Sequence, residues 1–515
     1  MHEIVYLQLG NLPNYIGTHF WNAQDAYGED EVNPEVSWSI RERIEGMRAK
    51  SCRLPPKIAH FRLSQSVSLI ALPSLFDNHP PVNEENLGGL QNYSVDWEPG
   101  TIDGSSTPNT EETWGERVQT LEAPLIPPSR YLEQLHNQDE SQAKVGDENQ
   151  LSETPRPNPR EVRYWSDFSH VHFAPESIQA LSSSVEYNAN GLVAWHEGRS
   201  DFERYDAEMD VMDGPVRQLV EECDSLQGFQ GIDHSPTMAG FSSCLSERIV
   251  DEFPKVPKIQ FTLLDGYKAI LGATSVAHSP QRILSNILCL HSLSRLHDTA
   301  VPLNPYEMWP DCPLRDRLSL FETYSEYNIS AVYAAHIETI TWGTRRRGAE
   351  RHAEYMVNRM NVDGRMPFAC LGGIVPMIDQ DDPFKPSSVL DLTLPEHQGR
   401  ANDTLTRYNV LRGAVGDLRS SNRPSIELID SNPYPLPLSH PQIFTGDKDP
   451  AQLNSVPIYS TLEVRKSFGR VLAAHTTWCD EYIRRKGDIG STGLELDEMK
   501  VVLEELRAVE EVYGD

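Results

Sequence analysis

The stretch MHEIVYLQLGNLPNYIGTHFWN, residues 1–22, decides the fold of this chain. Glu3–Leu9 is largely apolar, with β-branched and aromatic side chains, and predicts a strand that ends at Gly10. Residues 11–14 predict a turn, and Tyr15–Asn22 predicts the first turns of a helix. A strand, a glycine-bounded loop and a helix N-terminus together form the geometry that offers backbone N–H groups to a phosphate. The stretch therefore predicts the first unit of an α/β domain.

The composition indicates a multidomain, strongly acidic protein. The chain has 515 residues, of which 38% are hydrophobic, which is enough for a sizeable core and two or more domains. Its 45 Lys and Arg residues and 76 Asp and Glu residues give a formal net charge of −31. Such a charge disfavours direct contact with nucleic acid or anionic lipid headgroups. The one compact basic run, Arg345–Arg347, is interpreted as a solvated helix end rather than as a nucleic-acid site.

The cysteines and the apolar runs bear on the compartment of the protein. The seven cysteines are scattered and form no C-x-x-C pair, which is typical of a reduced compartment and gives no zinc signature. No apolar run reaches the roughly 18 residues of a transmembrane helix. The N-terminus lacks the features of a secretory signal or a mitochondrial presequence. The sequence therefore predicts a cytoplasmic protein or one on the cytosolic face of an organelle.

Three later stretches carry the remaining motifs. YSVDWEPGTID (93–103) predicts a strand end and a Pro-Gly turn, and by itself it indicates only an acidic turn. CDSLQGFQ (223–230) precedes a segment that contains proline and bulky apolar residues. TYSEYN (323–328) precedes an apolar, helix-spaced run that extends to about Gly343.

The N-terminal stretch and these three motifs together resemble tubulins. The matching patterns are M-x-E-I-V-x-x-Q-x-G-x-x-x-N-x-I-G-x-x-F-W, V-D-x-E-P-G-T-x-D and C-D-S-L-Q-G-F-Q, and TYSEYN resembles T-Y-x-D-x-N with Glu326 in place of the Asp. The resemblance implies an α/β protein with a tubulin/FtsZ-like fold. It would contain a mostly parallel Rossmann-type sheet domain, a smaller mixed α/β domain and C-terminal helices.

The resemblance also implies a nucleotide site, carried over residue by residue. Asp96 and Glu98 match the acids near the magnesium ion and the phosphates, Tyr324 matches the ring that stacks on guanine, and Asn328 matches its hydrogen-bonding partner. The full set of candidate cofactor-binding residues is Gly10, Asn11, Asn14, Asp96, Glu98, Gly240, Tyr324 and Asn328.

The chain departs from tubulins where phosphate would be held. Tubulins have a glycine-rich loop over the stretch Pro236–Ser242, in which only Gly240 survives, and they have glycine in place of Pro13. Glycine allows close backbone approach to phosphate oxygens, whereas proline removes an N–H donor. We therefore predict no catalytic residue, no metal site and no bound GTP or magnesium. The following helix is predicted over Ser243–Asp251.

The predicted organisation has four parts. Residues 1–320 form the nucleotide-binding-type domain, 321–345 the central helix, 346–445 the second α/β domain and 446–515 a C-terminal helical region. Other predicted elements are a strand within Val162–Phe173, a strand over Thr406–Val415, and helices over Thr461–Lys486 and Leu496–Tyr513.

Residues 104–160 differ in composition from the rest of the first part. They are rich in Ser, Pro, Asn, Gln and Glu and are interpreted as an acidic, disordered or loosely draped insert whose middle docks locally. A partner-binding loop is the alternative. Deletion of 107–153 is expected to leave the thermal transition nearly unchanged.

The N-terminal motif Q-L-G-N-x-x-N-Y-x-G-T-H-F-W-N and the later Y-W-S-D-F-S-x-V-H-F (164–173) resemble the Misato family of tubulin-like proteins. That resemblance implies a non-catalytic role in the distribution of mitochondria and the inheritance of mitochondrial DNA, with peripheral association at the mitochondrial surface. Protein partners would be cytoskeletal or tubulin-folding machinery, and the negative charge makes any effect on mitochondrial DNA indirect. The alternatives are a self-assembling GTPase and a switch that binds nucleotide without hydrolysing it.

Overall fold

The computed structural model describes most of the ordered elements of the chain. The described residues are 3–27, 58–63, 129–135, 158–171, 177–181, 193–223, 225–264, 280–304, 318, 325–345, 353–378, 381, 389–393, 403–413, 428–430, 432–444 and 453–514. Within them the chain forms a six-stranded and a five-stranded sheet that pack against helices, and a small two-stranded sheet.

The first sheet has six strands, all parallel, in the order β3-β2-β1-β4-β5-β6. The strands are β1 (Glu3–Leu9), β2 (Ile58–Leu63), β3 (Ile178–Leu181), β4 (Leu226–His234), β5 (Lys258–Leu263) and β6 (Thr299–Leu303). The helices of this domain are α1 (Asn11–Asp25), α2 (Trp195–Met209), α3 (Arg217–Glu221), α4 (Ser235–Glu252) and α5 (Pro280–Leu296). The predicted parallel α/β domain is confirmed.

Strand β1 is buried on both faces, as a central parallel strand must be. Successive side chains point to opposite faces. Tyr6 packs against Phe20 and Trp21 of α1, with ring centroids 5.8 and 4.9 Å away. Val5 and Leu7 lie in the core on the opposite face, together with side chains of α2 and α4. The quoted N-terminal stretch therefore supplies both a central strand and the helix that covers it.

The second sheet is mixed, with strand order β10-β9-β13-β7-β8. The elements after the first domain are α6 (Glu326–Ile340), α7 (Ala353–Met360), β7 (Cys370–Ile374), β8 (Leu390–Asp391), β9 (Thr404–Arg412), β10 (Leu428–Asp430), β11 (Tyr434–Pro435), β12 (Ser455–Val456) and β13 (Ile458–Arg465). Helix α6 is the central helix, and all its residues except Glu326 and Asn328 are buried. It packs against α1 on one side and against β13 and β9 on the other.

Helices α8 (Phe468–Arg484) and α9 (Leu496–Gly514) close the structure and contact both domains. The hydroxyl of Tyr513 in α9 donates to the backbone oxygen of Phe368, 3.0 Å away, just before β7. Glu505 in the same helix pairs with His291 of α5. The predicted helix over Leu496–Tyr513 is confirmed, and it buries Met499, Leu503, Leu506 and Tyr513, whereas Leu496 is exposed.

Two predicted elements in the first half of the chain are wrong. Residues 11–14 are not a turn, because α1 begins at Asn11 and takes Pro13 into its first turn, where a missing N–H costs no hydrogen bond. Residues 162–171 contain a short 3-10 turn at Trp165–Phe168 rather than a strand, and Phe173 lies outside the described residues.

The predicted helix over Thr461–Lys486 is wrong in its first part. Ile458–Arg465 is the central strand of the second sheet, and the helix starts at Phe468. All eight residues of this strand are buried, and its β-branched and aromatic side chains suit a strand covered on both faces. A C-terminal helical region that begins at residue 446 is therefore also wrong, because β12 and β13 belong to the second domain.

The acidic insert carries a docked segment. Ser129–Leu135 is described, and Tyr131, Leu132 and Leu135 are each 1% exposed. Tyr131 and Leu135 lie in the main hydrophobic core. The expectation of local docking is confirmed, but the segment is part of the core rather than loosely draped. Removing 107–153 would remove these buried side chains, so the expectation of an unchanged thermal transition no longer follows.

Candidate functional site

The strand order places a topological switch point between β1 and β4. The chain passes from β1 to β2 on one side of the sheet and from β4 to β5 on the other. In open parallel sheets, ligands bind outside the carboxyl ends of the strands at such a point. We call the space between Gly10, Asn11 and residues 234–238 the switch-point crevice, since α1 and α4 both begin there.

Helix α4 starts directly after β4, with no intervening loop. His234 has extended backbone angles, and the helix runs from Ser235 with Pro236 in its first turn. The predicted start at Ser243 is therefore wrong by two helical turns. Proline fits the first turn of a helix, and the following Thr, Met and Ala continue it without glycine. A glycine-rich loop of backbone donors is thus replaced by regular helix.

Side chains of α4 close the crevice against Gly10. Gly10 has φ +111°, a conformation that favours glycine, and a Cβ built there would lie 3.3 Å from the Met238 side chain and 3.5 Å from Thr237. Met238 is fully buried. The nearest imidazole, His234, contacts the Thr237 hydroxyl at 3.1 Å. Burial, together with the nearby Arg282, lowers the pKa of His234 to about 4, so it carries no charge near neutral pH.

Gly240 serves helix packing. It lies inside α4, and a Cβ there would come within 2.2 Å of the backbone oxygen of Trp195 in α2. Gly198 of α2 lies against the same turn, with Gly240 Cα 3.2 Å from its ideal Cβ position. The two glycines let α2 and α4 cross at short distance.

The other predicted site residues lie between α1 and α6. The side-chain amide of Asn11 donates to Glu326 over 2.9 Å. Burial raises the pKa of Glu326, and the hydrogen bond from Asn11 opposes that shift. The backbone N–H of Asn328 donates to the hydroxyl of Ser325, which caps α6. Asn14 is buried and donates its backbone N–H to Gly10.

The structure therefore brings Gly10 and Asn11 to the crevice and places Asn328 two positions after Glu326 in α6. Asp96, Glu98 and Tyr324 lie outside the described residues, so their placement stays a prediction. Among the described residues, no group of three potential metal ligands is found. In the same part of the chain, no helix is long and apolar enough to cross a membrane.

A segment that the sequence analysis did not assign to the site lies on α1. We call Arg163–Val171 the strap. Both ends of the Asn22 side chain hold it, since Nδ2 donates to Phe168 O over 2.7 Å and Oδ1 accepts from His170 N over 2.9 Å. The Phe168 ring stacks on His19 at 4.5 Å and meets Tyr327 edge-on at 4.8 Å. In the sequence, the polar residues His19 and Asn22 of the N-terminal motif are the features that could have indicated a segment packed on α1.

A second unassigned cluster joins the two domains at the other end of α6. Glu338, Arg345 and Arg412 are all fully buried. Glu338 Oε2 accepts from Arg412 Nη1 over 2.7 Å, and its Oε1 accepts from Gln24 over 2.6 Å. Arg345 donates to the backbone oxygen of Glu338 and to Thr341 Oγ1. The interpretation of Arg345 as a solvated helix end is wrong, because its guanidinium has buried partners from α1 and α6.

Comparison with known proteins matches two family profiles. Residues 2–137 match the Misato Segment II tubulin-like domain, and residues 154–346 match a tubulin domain. The first match ends just after the docked segment 129–135, and the second includes the strap.

Curated fungal relatives match most of the chain. The chain is 30% identical to protein DML1 of Gibberella zeae over 395 residues, which are 72% of this chain and 67% of that protein. It is 27% identical to protein DML1 of Phaeosphaeria nodorum, over 71% of this chain and 63% of that protein. It is 25% identical to protein dml1 of Aspergillus clavatus, over 80% of this chain and 77% of that protein. The chain thus spans less than two thirds of the length of the Phaeosphaeria relative.

Proposed function

The chain belongs to the Misato/DML1 family of tubulin-like proteins, and from that premise we propose that it is a non-catalytic interaction protein. In this proposal the tubulin-like fold serves as a scaffold for protein partners, without GTP turnover. The whole-protein role is the distribution of mitochondria and, indirectly, the inheritance of mitochondrial DNA.

The observation that carries the non-catalytic part is the start of α4. A triphosphate needs backbone donors around its oxygens, because its charge is otherwise desolvated without compensation. At the crevice, Pro236 lacks an N–H, and Met238 packs against Gly10 where a close backbone approach would be needed. His234 is uncharged near neutral pH because burial lowers its pKa. These features disfavour phosphate more than they disfavour a base.

The mitochondrial part is supported by the family membership and by the charge of the chain. A net charge of −31 disfavours direct binding to mitochondrial DNA or to anionic headgroups, so attachment through protein partners at the cytosolic face fits the chain better. Cytoskeletal or tubulin-folding machinery is the partner class that a tubulin-like surface suits. We therefore place the protein in the cytoplasm and, peripherally, on mitochondria.

Equilibrium dialysis with labelled GTP and magnesium, followed by a phosphate-release assay, tests the non-catalytic part. We expect weak or absent binding and no hydrolysis above background. Tight binding that is lost on Asp96→Ala, together with turnover, would overturn the proposal and favour the self-assembling GTPase. Tight binding without turnover would instead favour a nucleotide-dependent switch.

Replacement in cells tests the mitochondrial part. We expect depletion of the protein to change mitochondrial distribution in fluorescence images, and we expect both the wild-type chain and the Asp96→Ala variant to restore it. Unchanged mitochondria after depletion would contradict the proposed role. Rescue by wild type but not by a stably folded Asp96→Ala variant would argue for a nucleotide-dependent mechanism.

A further inference from the structure

We propose that the strap, Arg163–Val171, acts as an internal ligand that clamps α1 to α6, so that this part of the fold is complete without a bound small molecule. The strap would join the two helices as a ligand bound between them would. The proposal rests on the proposed function only in assuming that the crevice holds no nucleotide.

The strap is held to α1 by hydrogen bonds of its backbone rather than by a sheet. Phe168 O and His170 N both bind the side chain of Asn22. Arg163 O accepts from the hydroxyl of Tyr15 over 3.1 Å. Backbone groups of a buried segment need such partners, since an unmade hydrogen bond in the interior is costly. Three side-chain contacts from one helix therefore fix both the position and the direction of the strap.

The strap also has its own internal support. Asp167 is 1% exposed on its side chain and accepts from the backbone N–H groups of Arg163 and Tyr164, at 2.9 and 3.2 Å. It pairs with the Arg163 guanidinium at 3.2 Å as well. These contacts of the Asp167 carboxylate all lie within the strap and hold its backbone in a closed turn. Preorganisation of this kind reduces the entropy lost on docking, as it does for a rigid ligand.

Phe168 connects the strap to both helices. Its ring is fully buried and lies between His19 and Tyr15 of α1 and Tyr327 of α6, the last at 4.8 Å. His19 Nε2 in turn contacts the backbone oxygen of Tyr327 at 2.9 Å. One aromatic side chain of the strap is therefore shared by α1 and α6.

The same cluster reaches two further segments. Asn22 Nδ2 donates to Ser439 Oγ over 2.9 Å, and the Tyr327 hydroxyl donates to Ser439 O over 2.7 Å. The Tyr131 hydroxyl of the docked insert segment lies 2.8 Å from the Tyr327 hydroxyl. Residues that are distant in sequence thus meet on the strap and its two helices. Releasing the strap should loosen all of them together, which distinguishes a clamp from a passive cover.

Hydrogen–deuterium exchange of the full chain, followed by mass spectrometry, tests the proposal with Asn22→Ala. Loss of buried hydrogen bonds should raise exchange in the strap about tenfold or more. If the strap is a clamp, exchange should rise with it in the first half of α6 and in α1. Tyr15→Phe removes a single strap contact without a large cavity and should produce the same pattern at smaller amplitude, even if Asn22→Ala folds poorly.

Asn286→Ala is the matched control. Asn286 is a buried asparagine of α5 whose side-chain oxygen accepts from the hydroxyl of Ser235, at the start of α4, over 2.8 Å. Its exchange changes should stay in α5 and the start of α4. Increased exchange confined to the strap in Asn22→Ala, or no increase at all, would overturn the clamp.

A further arm with GTP and magnesium separates this proposal from the proposed function. We expect no change in wild-type exchange when nucleotide is added. Protection by GTP, with strap and α6 still coupled in the variants, would contradict the expected weak or absent GTP binding but leave the clamp intact. If the variants raise exchange in the strap but not in α6, and GTP has no effect on the wild-type chain, the clamp alone would be contradicted.

Discussion

The two ends of helix α6 are held by opposite kinds of chemistry. At its N-terminal end, neutral rings and hydrogen bonds join Tyr327 to His19 and Phe168. At its C-terminal end, the charges of Glu338 and Arg412 meet at 2.7 Å with no solvent exposure. Both ends fasten the same helix to α1, but among the described residues only the second end has an ion pair in which both side chains are fully buried and one belongs to α6.

The difference predicts how each end fails. A buried charge that loses its partner stays desolvated, so breaking one member of the ionic end leaves a large penalty. The neutral end consists of contacts that are individually weaker and can be lost one at a time. The Arg412 guanidinium also lies over the Trp342 ring at 4.0 Å, which adds a further contact at the ionic end.

The largest expected effect is that of Arg412→Ala. The substitution leaves Glu338 buried without its closest cation and removes donors to the backbone oxygens of Asn432 and Pro433. We expect the free energy of unfolding, measured by urea denaturation, to fall by about 3–5 kcal/mol. Arg217→Ala is the control, because Arg217 pairs with Asp213 and Glu221 on the surface and should change the unfolding midpoint little.

A double variant sharpens this prediction. If the cost of Arg412→Ala is the unpaired carboxylate, then neutralising that carboxylate with Glu338→Gln should recover part of the loss. Additive losses in the double variant would show that the two side chains stabilise the fold independently, and the contrast between the ends of α6 would then disappear.

Asn22→Ala should have an intermediate effect at the neutral end. It leaves Phe168 O, His170 N and Ser439 Oγ without the Asn22 side chain. We expect a loss of about 1–3 kcal/mol in the free energy of unfolding by the same urea measurement. A loss as large as that of Arg412→Ala would mean that buried charge is not what distinguishes the two ends.

Lowering the pH below about 6.5 should reduce the stability that His19 contributes at the neutral end of α6. Burial, and then the nearby His440, holds the pKa of His19 well below its usual value. Below a pH of about 6.5 the unfolded chain binds a proton that the folded chain rejects, so the free energy of unfolding falls as the pH decreases. In His19→Phe, the free energy of unfolding should depend less steeply on pH between about 5.5 and 6.5. The decrease in slope should correspond to the uptake of up to about one proton on unfolding. An unchanged slope would show that His19 does not contribute to this pH dependence.

The smallest expected effect is that of nucleotide on the neutral end, which borders the crevice. A ligand that binds only the folded state stabilises it in proportion to the logarithm of its concentration over Kd. We expect millimolar GTP with magnesium to leave the thermal midpoint of the wild-type chain unchanged. A concentration-dependent rise would show that the crevice accepts nucleotide despite Pro236 and Met238.

The relation between sequence and structure differs among elements. Local sequence patterns correctly predicted strand β1 and the helix at Leu496–Tyr513, because those patterns depend on neighbours a few residues away. The same reasoning placed Thr461 in a helix, although Ile458–Arg465 is the central strand of the second sheet. There the burial of both faces removes the alternation that would identify a strand, and only pairing with β9 and β7 reveals it.

The candidate site shows the same division. Pro236 and the loss of glycines predicted a changed phosphate loop from sequence, but not that α4 would begin at Ser235. Gly240 was assigned to nucleotide by its letter alone, whereas its neighbour in space, Trp195 of α2, explains it by packing. The role of a glycine depends on what approaches it, which local sequence does not contain.

The sequence by itself determined the parallel α/β class of the first domain and the family to which the chain belongs, since these follow from local periodicity and contiguous motifs. Only the tertiary structure decided that Asn22 holds the strap and that Glu338 lies between Arg345 and Arg412. Glu338 meets Gln24 across 314 positions of sequence. Such partners are chosen by the packing of whole helices and sheets, because a polar group in the interior must find its hydrogen bonds wherever the fold places them.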